Sequence, residues 1–383
     1  MATRRELLRA LAPLTLLPLL EARLGAAPLR RAPGGEALDS QRGRGIACAL
    51  GEEADAADLP APRRAGEHLA LALSGTTPVA DADRARVLGS AHCQWIEISL
   101  EDRGTVDDGP LAERIRTAAS VTLVEAGVLD WLIALYPARR SSAVLHALVE
   151  CAATGGRVIG RGSAAFLVAG GGVVLGATRD AVGESRLRQA NPRKLGGVRL
   201  AHGLGLSGGM VLDTHGRARG DLLRLISVLV EWHCDEGVML FPRSALCCDL
   251  ELRHWRALGP DPLIALELRG SRRGLRTLER ARLSVLAAGD GWSWLDRRLS
   301  SAGEPVEFGP AAAAESLAEG LDCRRFLLAP ARSRAWTHER ARVEVSQVAA
   351  SRAFAGPDGA AARGHGLDLR VELSRGSWGL PAD

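Results

Sequence analysis

From Gly45 to Ile159 short apolar runs alternate with segments of helical spacing. That alternation confines the chain to folds built on a largely parallel sheet with crossover helices. Gly45 to Leu50 reads as a first strand, and His68 to Leu73 (HLALAL) as a stronger one that ends in Ser74-Gly75-Thr76-Thr77. Trp95 to Leu100 and Val121 to Val124 read as further strands, with helices over Leu111 to Ala119 and Ser141 to Ala153. Arg157 to Ile159 is a short strand running straight into glycine, serine and alanine. Downstream, Asp221 to Glu231 places apolar residues at 222, 223, 225, 226, 229 and 230, an amphipathic helix. The fold class expected is α/β, a doubly wound, mostly parallel flavodoxin-like sheet, whose sites lie where strand C-termini enter loops. Beyond about Ser300 the pattern weakens: Ala311 to Ala318 has helical spacing, while Ala341 to Val348 and Leu367 to Leu373 alternate like strands. The expected division is residues 1–28 as an export signal, 29–44 as a linker, 45–300 as the α/β domain and 301–383 as a C-terminal extension.

Length and composition narrow the function classes. A chain of 383 residues with 46% hydrophobic and 25% charged residues is neither disordered nor a coiled coil. The net charge is only +4, Lys194 is the sole lysine, and the arginines are spread among comparable numbers of acids. No basic face results, and an aromatic content of 4% leaves little for base stacking, so a nucleic-acid partner is disfavoured. The N-terminus pairs Arg4-Arg5 with an apolar run from Ala10 to Leu20 and small residues Gly25-Ala26-Ala27. This is the pattern of a twin-arginine export signal and implies a periplasmic or extracellular protein. The alternative is an N-terminal helix packed on a cytoplasmic domain. No other apolar stretch is long enough for a stable membrane span. Seven cysteines (48, 93, 151, 234, 247, 248 and 323) show no C-x-x-C and no regular spacing, and read as core sulfur.

Three neighbourhoods carry candidate chemistry. In Gly155-Gly156-Arg157-Val158-Ile159-Gly160-Arg161-Gly162-Ser163-Ala164-Ala165 a strand enters a tight turn and a helix, the construction of a nucleophile elbow. The second is Gly203-Leu204-Gly205-Leu206 followed by Asp213-Thr214-His215, Arg219 and Arg224-Leu225, and the third is Asp235-Glu236-Gly237-Val238-Met239-Leu240. Gly203-x-Gly205-x-x-Gly208 matches a dinucleotide fingerprint only formally, because Met210-Val211-Leu212 reads as strand where that motif needs a helix. His233, Cys234, Asp235 and Glu236 are consecutive, so on a strand they point to opposite faces and do not converge on a metal.

The order of these motifs resembles the cyanophycinase and dipeptidase E family of serine peptidases, with its G-T-S-A-G-A elbow, D-Q-H-F and R-x-R-x-x-R-L segments and D-E-N-T-A segment. The resemblance extends from Gly45 to Ser300, taking in Ala72-Leu73-Ser74-Gly75-Thr76-Thr77 and Arg282 to Asp290. It implies a hydrolase of peptide or isopeptide bonds, with Ser163 as nucleophile, His215 as general base and Glu236 as the acid orienting it. Oxyanion donors would come from Ala164 and from Gly127, in the segment standing for the family's G-G-D-Q turn. No cofactor and no metal is implied. The partner would be a peptide-like small substrate or polymer, and a homodimer is left open. The chain departs from the family at named positions. Aligned without gaps from Gly155-Gly156, the serine position holds Gly162 and Ser163 falls one residue late. Gly216 replaces the aromatic after the histidine, Asp221 stands at the second arginine, and Gly237 and Val238 follow the acid. Two readings follow: a divergent serine hydrolase whose elbow shifts by one residue, or an inactive homologue that keeps the cleft as a binding module.

Overall fold

The computed structural model describes residues 43–56, 58–74, 84, 93–99, 103–124, 126, 128–136, 141–168, 172–175, 199–201, 203–206, 210–213, 222–274, 277–293, 298–308, 315–316, 333–338, 341–354 and 363–373. The chain begins with β1 (Ile46–Leu50), β2 (His68–Ser74), β3 (Cys93–Ser99), α1 (Gly109–Thr117), β4 (Ser120–Leu123), α2 (Val128–Leu135), α3 (Ala143–Ala153), β5 (Arg157–Arg161) and α4 (Ala165–Val168). Then come β6 (Gly172–Leu175), β7 (Arg199–Ala201), β8 (Val211–Asp213), α5 (Leu222–Glu231) and β9 (Glu236–Met239). Antiparallel strands follow: β10 (Ala245–Asp249), β11 (His254–Leu258), β12 (Leu263–Glu267), β13 (Arg272–Arg273), β14 (Thr277–Leu286), β15 (Gly291–Ser293) and β16 (Leu299–Ser300). The remainder is β17 (Pro305–Val306), β18 (Glu315–Ser316), β19 (Ser333–His338), β20 (Ala341–Ser346), β21 (Arg352–Phe354), β22 (Arg363–His365) and β23 (Leu367–Leu373).

The protein is α/β, as its alternating pattern implies, but the layering departs from a doubly wound fold. The first sheet has nine strands in the order β16-β15-β11-β10-β1-β5-β4-β2-β3. Its β3-β2-β4-β5-β1 half is parallel, and from β1 outward through β10, β11, β15 and β16 every pairing is antiparallel. One face of the parallel half carries Leu69, Leu71, Val121, Leu123 and Val158, packed with residues of α1, α2 and α3. Helix α3 starts on Ser142, whose hydroxyl accepts from the backbone N–H of Leu145 at 3.1 Å, a capping bond for one of the otherwise unpaired donors of the first turn. On the opposite face Ile46, Cys48, Leu50, Ile159 and Cys247 pack against Ala54 and Leu59 of the loop after β1, and the described residues place no helix there. Antiparallel neighbours can be joined by tight turns and need no crossover helix, so the helical layer ends where the meander begins.

The second sheet takes that place. Its order is β18-β19-β20-β23-β14-β12-β9-β8-β6-β7, with β13 beside β14. Side chains alternate along its strands as a two-faced sheet requires. Leu212, Val238, Leu263 and Leu286 enter the core shared with the first sheet, while Val211, Met239, Ile264 and Val285 pack against α5 on the other face. Residues 222–230 of α5 are all buried. An amphipathic pattern therefore ends up enclosed, with Arg224 and Ser227 inside: the Ser227 hydroxyl donates to the Leu223 carbonyl at 2.8 Å, and Arg224 is paired as described below. From beyond Ser300, β23 hydrogen bonds to β14 and β20 to β23, and Leu369 and Val371 join the α5 core. Glu315 and Ser316 form a strand where the spacing suggested helix, and the rest of that stretch lies outside the described residues, as do residues 1–42. Among the described residues no helix is long and apolar enough to cross a membrane.

Candidate functional site at the strand-to-helix turn

Strand β5 sits between β1 and β4 and ends at Arg161; Gly162 to Ala164 make one 3-10 turn, and α4 begins at Ala165. Gly162 has φ +55°, in the left-handed region that side chains disfavour. The packing around it fixes the register. A Cβ on Gly160 would lie 2.3 Å from the Ala164 carbonyl oxygen and 2.7 Å from the Ala165 Cα, so the helix folds back directly over that strand residue. Gly160 and Ala164 are thus the small residues flanking the apex by two positions each way, and Gly162 is the apex. This is a tight strand-to-helix elbow with glycine at its centre. Ser163 is half-buried, one residue into the turn. Ala164 is buried beneath it, and Gly127 lies outside the described residues.

Other strand ends meet at this edge. Leu50 of β1 is the register partner of Arg161, and the Gly51 N–H donates to the Ser244 carbonyl at 2.9 Å. A Cβ on Gly51 would lie 2.2 Å from the Phe241 carbonyl oxygen, so the turn after β9 is pressed against the loop after β1. The Leu240 N–H in turn donates to the Asp213 carbonyl at 2.8 Å, bringing the C-terminal end of β8 to the same edge. The Leu204 N–H donates to the Leu167 carbonyl at 2.5 Å, docking the G-L-G-L segment on the elbow helix. The Asp213 carboxylate is completely buried and accepts from Arg224 Nε at 2.9 Å and also from its Nη2. The outer members of the D-x-H and R-L motifs therefore form a buried, two-pronged ion pair. Thr214 and His215 lie outside the described residues.

Glu236 is placed elsewhere. The register pairs Val211 with Gly237 and Asp213 with Met239, so Glu236 is at the beginning of β9, three residues back from the level of Asp213. At ~3.3 Å per residue the gap is about 10 Å. The strand that brings Met239 to the elbow edge carries Glu236 to the other end, and the expected contact with His215 falls on a residue outside the described ones. A residue that motif order did not single out, Arg161, stands beside the apex instead. It is 3% exposed and its Nη2 donates to the Glu52 carbonyl at 3.1 Å. An arginine between two glycines of a buried strand is the signal that was available for it. The vicinal Cys247 and Cys248 are buried and in no disulfide, and burial pushes Cys151 up to about 11 and Cys234 to about 12. The neighbouring Cys48 and burial also raise Cys247, so Cys151, Cys234 and Cys247 are neutral thiols in the core.

No family model and no curated protein matches this chain. Among solved structures it is similar to a peptidase from an acI-B1 Actinobacterium, with a TM-score of 0.42 and 11% identity over 70% of this chain and 98% of that one.

Proposed function

We propose that this chain is a binding protein on a serine-hydrolase scaffold, with the cleft at the elbow kept and the covalent chemistry lost. The observation that carries this reading is Gly162 at the elbow apex. A serine there would present its hydroxyl at the strained turn, toward the base and the free N–H groups of the following helix. Glycine supplies the backbone geometry with no nucleophile. Ser163, one residue on, has a different direction, and a displacement of about an ångström already costs on the order of a hundredfold in rate. The position of Glu236 supports the same reading, since no carboxylate from that motif reaches the end of β8. The ligand class carried over from the resemblance is peptide-like, and the twin-arginine segment would export the chain already folded. The test is turnover of a panel of acidic and isoaspartyl dipeptides by the purified protein and by Ser163→Ala. The proposal expects no hydrolysis above buffer in either. Hydrolysis by the parent chain that disappears in Ser163→Ala would restore the serine-hydrolase reading.

A further inference from the structure

Cys48 of β1 and Cys247 of β10 are register partners on neighbouring antiparallel strands. Facing pairs in an antiparallel ladder alternate between those that exchange backbone hydrogen bonds and those that do not. At one end of this ladder the Gly51 N–H donates to the Ser244 carbonyl at 2.9 Å, and at the other the Leu250 N–H donates to the Gly45 carbonyl at 3.1 Å. Both are facing pairs in the same register. Counting inward from either end makes Ala47 and Ala49 hydrogen-bonded positions and Cys48 a non-bonded one. The α-carbons of such a pair stand about 4.5 Å apart, the closer of the two spacings, with both side chains on one face. A disulfide spans roughly 4.4–6.8 Å between α-carbons, so this pair can close with little movement of either strand. The side chains already meet: a hydrogen bond between the two sulfurs is, ahead of burial, what raises the Cys247 thiol.

No other described cysteine competes for either sulfur. Cys248 follows Cys247 on its strand, so its side chain points to the opposite, helix-covered face, where Cys151 also lies. Cys93 is on β3, four strands from β1, which is about 19 Å at ~4.8 Å per strand. Cys234 belongs to the α5 core. Around Cys48 and Cys247 are Ile46, Leu50, Ile159 and Ala245, closed over by Ala54 and Leu59 of the loop after β1. The two cysteines are 0% and 3% exposed, so a reagent reaches them before that loop and β10 have packed, not afterwards.

We infer that Cys48 and Cys247 are the site of a stabilising cross-strand disulfide, formed as the chain folds in the presence of a small-molecule disulfide such as glutathione disulfide. One thiolate attacks the reagent and expels half of it, and the second attacks the resulting mixed disulfide and expels the other half. The two cysteines together lose two protons and two electrons, and the reagent is reduced to two thiols. The bond ties the parallel half of the first sheet to the first strand of its antiparallel half. It closes a loop of roughly 200 residues that holds β2 to β9 and the elbow, the long-loop case in which a cross-link restricts the unfolded chain most. It depends on β1 and β10 alone and stands whether the elbow reacts, binds or does neither.

Refolding the full-length protein in a glutathione redox buffer, quenching with N-ethylmaleimide and digesting with trypsin without reduction tests it. Mass spectrometry should find the peptide of residues 45–63 joined to that of residues 244–253. Parent and Cys248→Ala should both give the joined pair, and Cys247→Ala should not. The oxidised parent should melt about 5 °C or more above the same protein refolded with excess thiol, and Cys48→Ala should show no such difference. Circular dichroism confirms that the variants fold, and the mapping in the parent needs none of them. Maleimide on both Cys48 and Cys247 after oxidative refolding overturns the inference. So does Cys247 joined to Cys248 or to Cys323, or an oxidised parent that melts no higher than the reduced one.

Discussion

Gly160 and Gly162 do different work within three residues. At 160 the missing Cβ leaves room for the Ala164 carbonyl, and at 162 the missing Cβ permits φ +55°. Gly160→Ala should destabilise by about 1–3 kcal/mol, the usual cost of overpacking, and should loosen α4 from the strand. Gly162→Ala should cost about 1–2 kcal/mol for the left-handed residue alone. Urea unfolding of the two variants measures both, and a neutral Gly160→Ala would contradict the register assigned to the elbow. Asp213 and Arg224 present a second contrast. Removing either takes the opposite charge from a buried ion, so Asp213→Ala should lose about 3–5 kcal/mol. If Asp213→Ala unfolds at the parent's urea midpoint, the ion pair has been overvalued.

Among the elements, what could be read in advance depended on how each is buried. Strands β1, β2 and β4 announced themselves as short continuous apolar runs alternating with helical segments, and helices α3 and α5 as apolar residues at helical spacing. Strands β10, β11 and β12 are as long as β1, and β10 (ALCCD) is as buried, but they follow one another with no crossover helix between them to mark each off. The antiparallel half of the first sheet was invisible for that reason. The elbow was legible from its glycines, but its register was not: neighbouring Gly162 and Ser163 are distinguished by φ and by the contact over Gly160, neither of which a spacing carries. The place of Glu236 at the start of β9 was hidden for a related cause, since motif order along a chain does not say which end of a strand a residue occupies. Strand β2 also carries a pH effect. His68 Nδ1 is 2.6 Å from the Ser120 hydroxyl, and burial, with Arg157 nearby, lowers its pKa below the usual 6.5. The unfolded chain therefore takes up this proton first as pH falls. Stability is full above about 6.5 and is lost as pH drops through the lower folded-state pKa. The thermal midpoint should decline as pH falls below about 6.5, and by less in His68→Gln; an identical decline in both would remove His68 as its source.

Over the whole molecule, residues past Ser300 are bound into the second sheet through β23 and β20, with Val343, Leu369 and Val371 inside the α5 core. Ending the chain at Ser300 should expose β14 and one side of that core, giving a protein that binds hydrophobic dye and loses cooperative melting. A truncated chain that melts as sharply as the parent would show the extension to be dispensable. The layout also keeps two regions apart: the elbow edge, where β1, β5, β8 and β9 end, and a cavity at the start of β9. The first is where we propose that covalent chemistry has been lost. Intact-protein mass spectrometry after treatment with a fluorophosphonate, beside an active serine hydrolase as control, tests that claim most directly. With glycine at the apex, the chain should gain no adduct under conditions that label the control completely. A single adduct mapped to Ser163, and absent from His215→Ala, would contradict the account and make the turn a working active site.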